Sequence, residues 1–197
     1  MKILPSTYLP SIEIFRAIAT GDYIVDLGEH YIKRSERNRA EIMTAGGVMQ
    51  LTVNISRANR PRTPMREIEI DYSKRWQHQH WMAIISAYKS SPFFDHYEPY
   101  LRPLFERRFS TLVELNTALT EQIMKLLGIA TPLRVSTTYI DASVEDSDLR
   151  PKKRDVELPE QPYIQVFSDR YPFAANLSIL DLLFCEGPNA LTLLLHP

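Results

Sequence analysis

Apolar residues recur in two rhythms along the chain, and the switches between them outline the elements. Met1 to Leu4 is a short β-like run closed by Pro5; Ile14, Phe15, Ile18 and Ala19 then recur at helical spacing. That stripe predicts a helix from a cap at Ser11 through Thr20, stopped by Gly21. Tyr23 to Leu27 predicts a second strand, ending at Gly28. Farther on, Leu51, Val53 and Ile55 alternate with Thr52 and Asn54, the period of a half-buried strand. With Ala40 to Met43 they predict a β-hairpin whose tip is Thr44-Ala45-Gly46-Gly47. Ile68 and Ile70 alternate in another short strand.

From Ser73 to about Phe109 the spacing is helical. Trp81, Ile84, Ile85 and Tyr88 form one stripe, and Trp76 and His80, four residues apart, share a second face. Pro92 separates this helix from one carrying Tyr97, Leu101 and Phe105 despite Pro99 and Pro103. Thr111-Leu112-Val113-Glu114 reads as the capping box of a third helix, ended by Gly128. Leu133 to Ile140 and Tyr163 to Phe167 read as strands. Between them, residues 141–161 lack apolar periodicity and read as a surface loop or lid near the basic residues described below. A closing helix, capped at Asn176 or Ser178, runs through Cys185 to Gly187-Pro188.

These elements predict an α/β fold, a mixed sheet with an antiparallel hairpin packed by a block of helices. No repeat or second core interrupts residues 1–197, so one domain is expected. Leu51, Val53, Ile84, Leu119 and Leu180 should share its core.

Composition narrows the function classes. The 23 basic and 24 acidic residues nearly cancel, to a net charge of −1, so no nucleic-acid partner is expected and any anion site must be local. Arg57, Arg60 and Arg62 form a second basic group in the polar loop from Ser56 to Met65, without interleaved aromatic residues. Cys185, the one cysteine, continues an apolar run and reads as buried and inert. No apolar run approaches the ~18 residues of a spanning helix, and the N-terminus lacks the apolar core of a signal peptide. The expectation is a cytoplasmic protein without stable membrane insertion; the basic group from Arg150 to Arg154 is too short to change it. No cofactor motif appears, and no metal is expected: His78 and His80, two apart on a helix, point roughly 160° apart.

The candidate chemistry lies in His30 to Arg39, where Lys33, Arg34, Arg37 and Arg39 fall within seven positions against one acid, Glu36. If this hairpin entry is extended, Lys33, Ser35, Arg37 and Arg39 share one side, and Asn38 faces the other with Ala40 and Ile42. Such a row suits a carboxylate or phosphate; a solvated charge run is the competing reading. The opening strand, its polar loop and the helix beginning near Ser11 can form an anion cradle with a positive dipole end, or an ordinary strand-to-helix turn.

The motifs Leu4-Pro5-Ser6-Thr7-Tyr8-Leu9-Pro10, Tyr31-Ile32-Lys33-Arg34-Ser35 with Arg37-Asn38-Arg39, and Leu51-Thr52-Val53 resemble the WbqC-like family. So do Trp76 and His80, Tyr88-Lys89 with Pro92-Phe93-Phe94, and the ending from Asn176 to Phe184 with Gly187-Pro188. Many relatives carry Trp and Gly where this chain has Ser11 and Glu13. The resemblance implies a bacterial protein of surface-polysaccharide or O-antigen biosynthesis. The reading is a transferase acting on an anionic, nucleotide-linked sugar or acyl donor. Lys33, Arg37 and Arg39 would hold the anion beside Asn38 and Trp76, and Ser6, Tyr8 and His80 would position groups and move the proton. The alternative is a non-catalytic protein that holds an anionic glycan precursor or a partner's acidic segment.

Overall fold

The computed structural model describes residues 1–56, 62–151 and 162–196. Arg57, Arg60 and the Lys152-Lys153-Arg154 run lie outside those residues.

Strand β1 (Lys2–Pro5), helix α1 (Ile12–Thr20) and strand β2 (Tyr23–Asp26) form a βαβ unit, with β1 and β2 parallel in the register Ile3↔Ile24 and Leu4↔Val25. Two short strands flank this pair, β5 (Val135–Ser136) beside β2 and β6 (Ser147–Asp148) beside β1. The order is β5-β2-β1-β6, all parallel. The chain moves outward from β1 through β2 to β5, then crosses to the other side of β1. A reversal of this kind opens a crevice at the carboxyl ends of the strands, where ligands of open α/β sheets bind.

An antiparallel hairpin, β3 (Arg39–Thr44) and β4 (Gly47–Thr52), makes a second sheet in the register Arg39↔Thr52 and Glu41↔Gln50. Gly47, at φ +97°, takes the left-handed turn position that glycine adopts without strain. The strand begins there and ends at Thr52, so Val53 and Ile55 of the expected alternation lie beyond it. The mixed α/β architecture with its hairpin is therefore present.

Helices α2 (Trp76–Tyr88), α3 (Phe94–Glu106) and α4 (Leu112–Leu126) form the helical block, and α5 (Ile179–Glu186) and α6 (Ala190–Leu195) close the chain. Pro99 and Pro103 sit inside α3, four apart on an exposed face. The carbonyls they leave unpaired therefore face water, which limits the usual penalty. The capping box of α4 forms as expected, with Glu114 N–H donating to Thr111 Oγ1 at 3.3 Å and Thr111 N–H donating to Glu114 Oε2 at 3.1 Å. Leu51, Val53, Ile84, Leu119 and Leu180 lie in one buried apolar cluster with residues of α1, α3 and α6.

Three expectations are corrected. The basic row is not extended: residues 33–38 form consecutive turns, and Arg34 has φ +58°. Tyr163 to Phe167 is no strand, because Tyr163 and Gln165 donate side-chain hydrogen bonds to Asp181 and Ile164 points to solvent. In the stretch read as a loop from 141 to 161, the described part holds strand β6, buried Leu149 and buried Arg150. Its remainder, 152–161, lies outside the described residues.

Candidate functional site

Three segments meet at the carboxyl ends of β1 and β6. The opening loop is tied to the basic turns by Tyr8 N–H donating to the Glu36 carbonyl at 3.0 Å. Asn116 of α4 fastens both from beneath, its Nδ2 donating to the Arg37 carbonyl at 2.9 Å and to Ser6 Oγ at 3.3 Å. The two motifs are thus in contact, although of Lys33, Arg37, Arg39, Ser6 and Tyr8 the cleft described below is lined by Arg37 and Arg39.

Two buried ion pairs hold the third segment. Arg37 clasps Glu29, with Nε donating to Oε1 at 3.0 Å and Nη2 to Oε2; their side chains are 2% and 4% exposed. Nη2 also donates to the Arg150 carbonyl at 3.1 Å and Nη1 to Ser35 Oγ at 3.3 Å. Arg150 donates from Nη1 to Asp26 at the end of β2, and from Nε and Nη2 to Asp148 of β6 at 2.9 and 2.8 Å. Gly28 follows Asp26 because the chain passes too closely for a side chain: a Cβ there would lie 2.1 Å from the Tyr139 nitrogen. Burial pushes the Glu29 carboxyl up to about 7, against the opposing pull of Arg37. Asp26, Glu29 and Arg150 were absent from the sequence-based candidates. Asp26 carried one signal, an acid ending an apolar strand two residues before a glycine; Glu29 and Arg150 carried none.

Above this network lies a cleft of about 240 Å³. Pro5 and Leu9 form its base, Arg34 and Glu36 one side, Arg39, Glu41 and Gln50 the hairpin side, and Asn176 and Ser178 the far end. Arg39 and Glu41, two apart on β3, share a face, and Gln50 is the partner of Glu41 across the hairpin. Arg39 Nε is buried without a hydrogen-bond partner. Arg34 is exposed, and Glu36 Oε2 accepts from Ser11 Oγ at 3.3 Å. The walls thus combine guanidinium donors for an anion with carboxylate and amide acceptors for hydroxyl groups.

The predicted site residues divide into three groups. Arg39 and Arg37 line the cleft, and Arg37 uses four of its five N–H groups within the protein, which makes it a support of the cleft wall. Lys33 is exposed and does not line the cleft. Asn38 is buried and binds the fold, its Nδ2 donating to the Val53 carbonyl at 3.0 Å and its Oδ1 accepting from Tyr31 at 2.9 Å.

Ser6, Tyr8, Trp76 and His80 are buried and absent from the cleft walls. Tyr8 and His80 meet at 2.9 Å between the phenol oxygen and Nδ1. Which of the two atoms donates is set by the imidazole tautomer. Burial pulls His80 down to about 4, and it pushes the Tyr8 hydroxyl well above its ordinary value. Trp76 packs edge-on against both rings, with centroids 6.4 Å from Tyr8 and 5.2 Å from His80. In this structure the pair forms an enclosed core hydrogen bond away from the cleft walls.

The positive end of α1 is not free for a ligand either. Ile12 N–H donates to the Leu177 carbonyl at 3.0 Å and Glu13 N–H donates to Asn176 Oδ1 at 2.9 Å. Of the two residues offered as cap of the closing helix, Ser178 caps α5, and Asn176 caps α1. Among the described residues no group of three His, Cys, Asp or Glu side chains has the geometry to hold a metal ion, and no helix is long and apolar enough to cross a membrane.

Comparison with known proteins places these features in a family. The uncharacterized protein Rv1507c of Mycobacterium tuberculosis is 33% identical over 141 residues. That alignment covers 71% of this chain and 61% of the mycobacterial protein, so the chain spans less than two thirds of that relative's length. No solved structure matches the chain. The profile of the WbqC-like protein family matches residues 6–158, a span holding the opening loop, the basic turns, the hairpin and Arg150. The chain belongs to the WbqC-like protein family.

Proposed function

We propose that the cleft at the ends of β1 and β6 binds the anionic group of an activated sugar or acyl donor, and that the protein acts in the transfer of that group during assembly of a bacterial surface polysaccharide. The observation that carries the binding half is Arg39. A buried N–H left without a partner costs about 1–3 kcal/mol, and an incoming phosphate or carboxylate oxygen removes that penalty. Its charge-assisted bond is roughly twice as strong as a neutral one. Arg37 and Arg150 are neutralised by their own acids, so Arg39 and Arg34 are the guanidinium groups left to face a ligand. The position at the reversal of strand order supports the same site. The resemblance to proteins of surface-polysaccharide biosynthesis supports the substrate class.

A second reading, a non-catalytic holder of an anionic glycan precursor, is favoured by the enclosure of Tyr8 and His80. Titrating the protein with a panel of nucleotide-sugars and acyl thioesters, and analysing the recovered ligand, separates the two. A donor that binds and is consumed when an acceptor is added supports transfer; one recovered unchanged supports the holder. Absence of binding by every anionic donor overturns both.

A further inference from the structure

We infer that a second site, the groove between α2 and α3, binds a single-chain amphiphile, a phosphate or carboxylate head on a hydrocarbon tail. This site is independent of the donor cleft. Its volume is about 480 Å³, within the roughly 300–1,000 Å³ range of small-molecule sites. Trp81, Phe105, Ile85 and Met82 make an apolar floor, and Met82 is 49% exposed on the outer side of α2. An exposed, flexible thioether in the same groove as aromatic rings is well suited to an alkyl chain. Trp81 is fixed in place by packing on Phe105, with ring centroids 5.1 Å apart, so the floor is preformed.

Apart from the Arg102–Glu106 pair on α3, the charged lining residues lie at one end. Gln77 Nε2 donates to the Arg107 carbonyl at 2.6 Å, which joins the start of α2 to the residue following α3. Lys74, Arg75 and Arg108 therefore gather at that end of the groove. Arg108 lies over the Tyr72 ring, 5.1 Å from its centroid. The acid among the lining residues is Glu106, and Arg102 holds it at 2.8 Å. Asp71 is nearby but does not line the groove, and it accepts from Ser73 N–H and Oγ at 2.8 and 2.9 Å. At 1.5 Å per residue, Met82 and Ile85 lie roughly 10 and 15 Å along α2 from Arg75. A cationic end followed by an apolar channel matches a head and a tail. An acidic amphipathic helix would instead need basic groups along the groove's length, and a flat bilayer would not fill a concave floor.

The test uses octyl phosphate below its micelle concentration, followed by calorimetry, with octanol and inorganic phosphate as the two halves of the ligand. Octyl phosphate should bind at one site, at least tenfold tighter than either half. Met82→Asp, on the floor, and the double variant Lys74→Glu/Arg75→Glu, at the head, should each weaken it at least tenfold. All three positions are at exposed side chains, and circular dichroism checks that the variants remain folded. Equal binding of octanol, or undiminished binding by both variants, overturns the proposal. So does the absence of octyl phosphate binding, whether or not an acidic helical peptide or anionic vesicles bind in its place.

Discussion

Glu29 and Arg37 form a two-point ion pair inside the protein, eight residues apart, and that pair turns the most basic stretch of the chain into a scaffold. Arg37→Ala should consequently destabilise the protein, by roughly 3–5 kcal/mol, because it leaves a buried carboxylate without its partner. The loss should depend on pH. Glu29 is raised in the folded state from 4.5 to about 7, so between those values the folded protein binds more protons than the unfolded chain. Its contribution is complete below about pH 4.5 and is lost as the pH rises through 7. Removing Arg37 removes the group that tempers this, so the difference between wild type and variant should be larger at pH 8 than at pH 5. Urea unfolding at the two pH values checks it; an equal loss at both would show that Glu29 is not the group exposed by the substitution.

Tyr8→Phe should act on stability and not on ligand binding. It removes a buried hydrogen bond and leaves His80 Nδ1 unsatisfied, a change of about 1–3 kcal/mol. His80 itself is lowered from 6.5 to about 4, so the folded protein binds fewer protons across that window. The stability it confers is present above pH 6.5 and disappears as the pH falls through 4. Comparing His80→Gln with wild type in unfolding experiments from pH 7 to pH 4 should show the gap narrowing or reversing on acidification. A large loss of donor binding in Tyr8→Phe, with an unchanged melting temperature, would return the pair to a catalytic role.

Asn176 offers a test of the contact that closes the far end of the cleft. Its Oδ1 caps α1 while its own backbone sits at φ +58°. Asn176→Gly removes the cap and keeps the backbone comfortable; Asn176→Ala removes the cap and adds left-handed strain of roughly 1–2 kcal/mol. Both variants should speed hydrogen exchange at the Glu13 amide, and Ala should be the less stable of the two. Identical stability would mean that the backbone conformation is not held at this position in solution.

The helical half of the chain was legible because its signals are local. The Thr111–Glu114 capping box, Gly21 at φ +82° and the stripe through Ile84 and Tyr88 depend on neighbours within one or two turns. The short strands were less legible: β5 and β6 have two residues each and exist because β2 and β1 offer an edge, not because Val135 or Ser147 demand it. Ser147–Asp148 was read as loop for that reason. The site failed in the same way. Alternation placed Lys33, Arg37 and Arg39 on one face, but the turns, with Arg34 in the left-handed region, leave Lys33 off the cleft, and Glu29 claims Arg37. Asn176 reaching Glu13 across 163 positions leaves no trace in spacing. What the sequence did reveal was that the two polar motifs, at Ser6–Tyr8 and Arg37–Arg39, belong together; Asn116 is the residue that joins them.

If Arg39, on the hairpin side of the cleft, receives the ligand's anion, the proton–nitrogen NMR signal of its Nε–H reports this during titration with an anionic donor. The Arg39→Ala variant assigns that signal. Binding should move it to lower field and slow its exchange with water, Arg37 should shift much less, and Arg39→Ala should bind at least tenfold more weakly with a melting temperature within a few degrees of wild type. A donor that binds while the Arg39 signal stays in place, or that binds wild type and Arg39→Ala alike, would contradict the account.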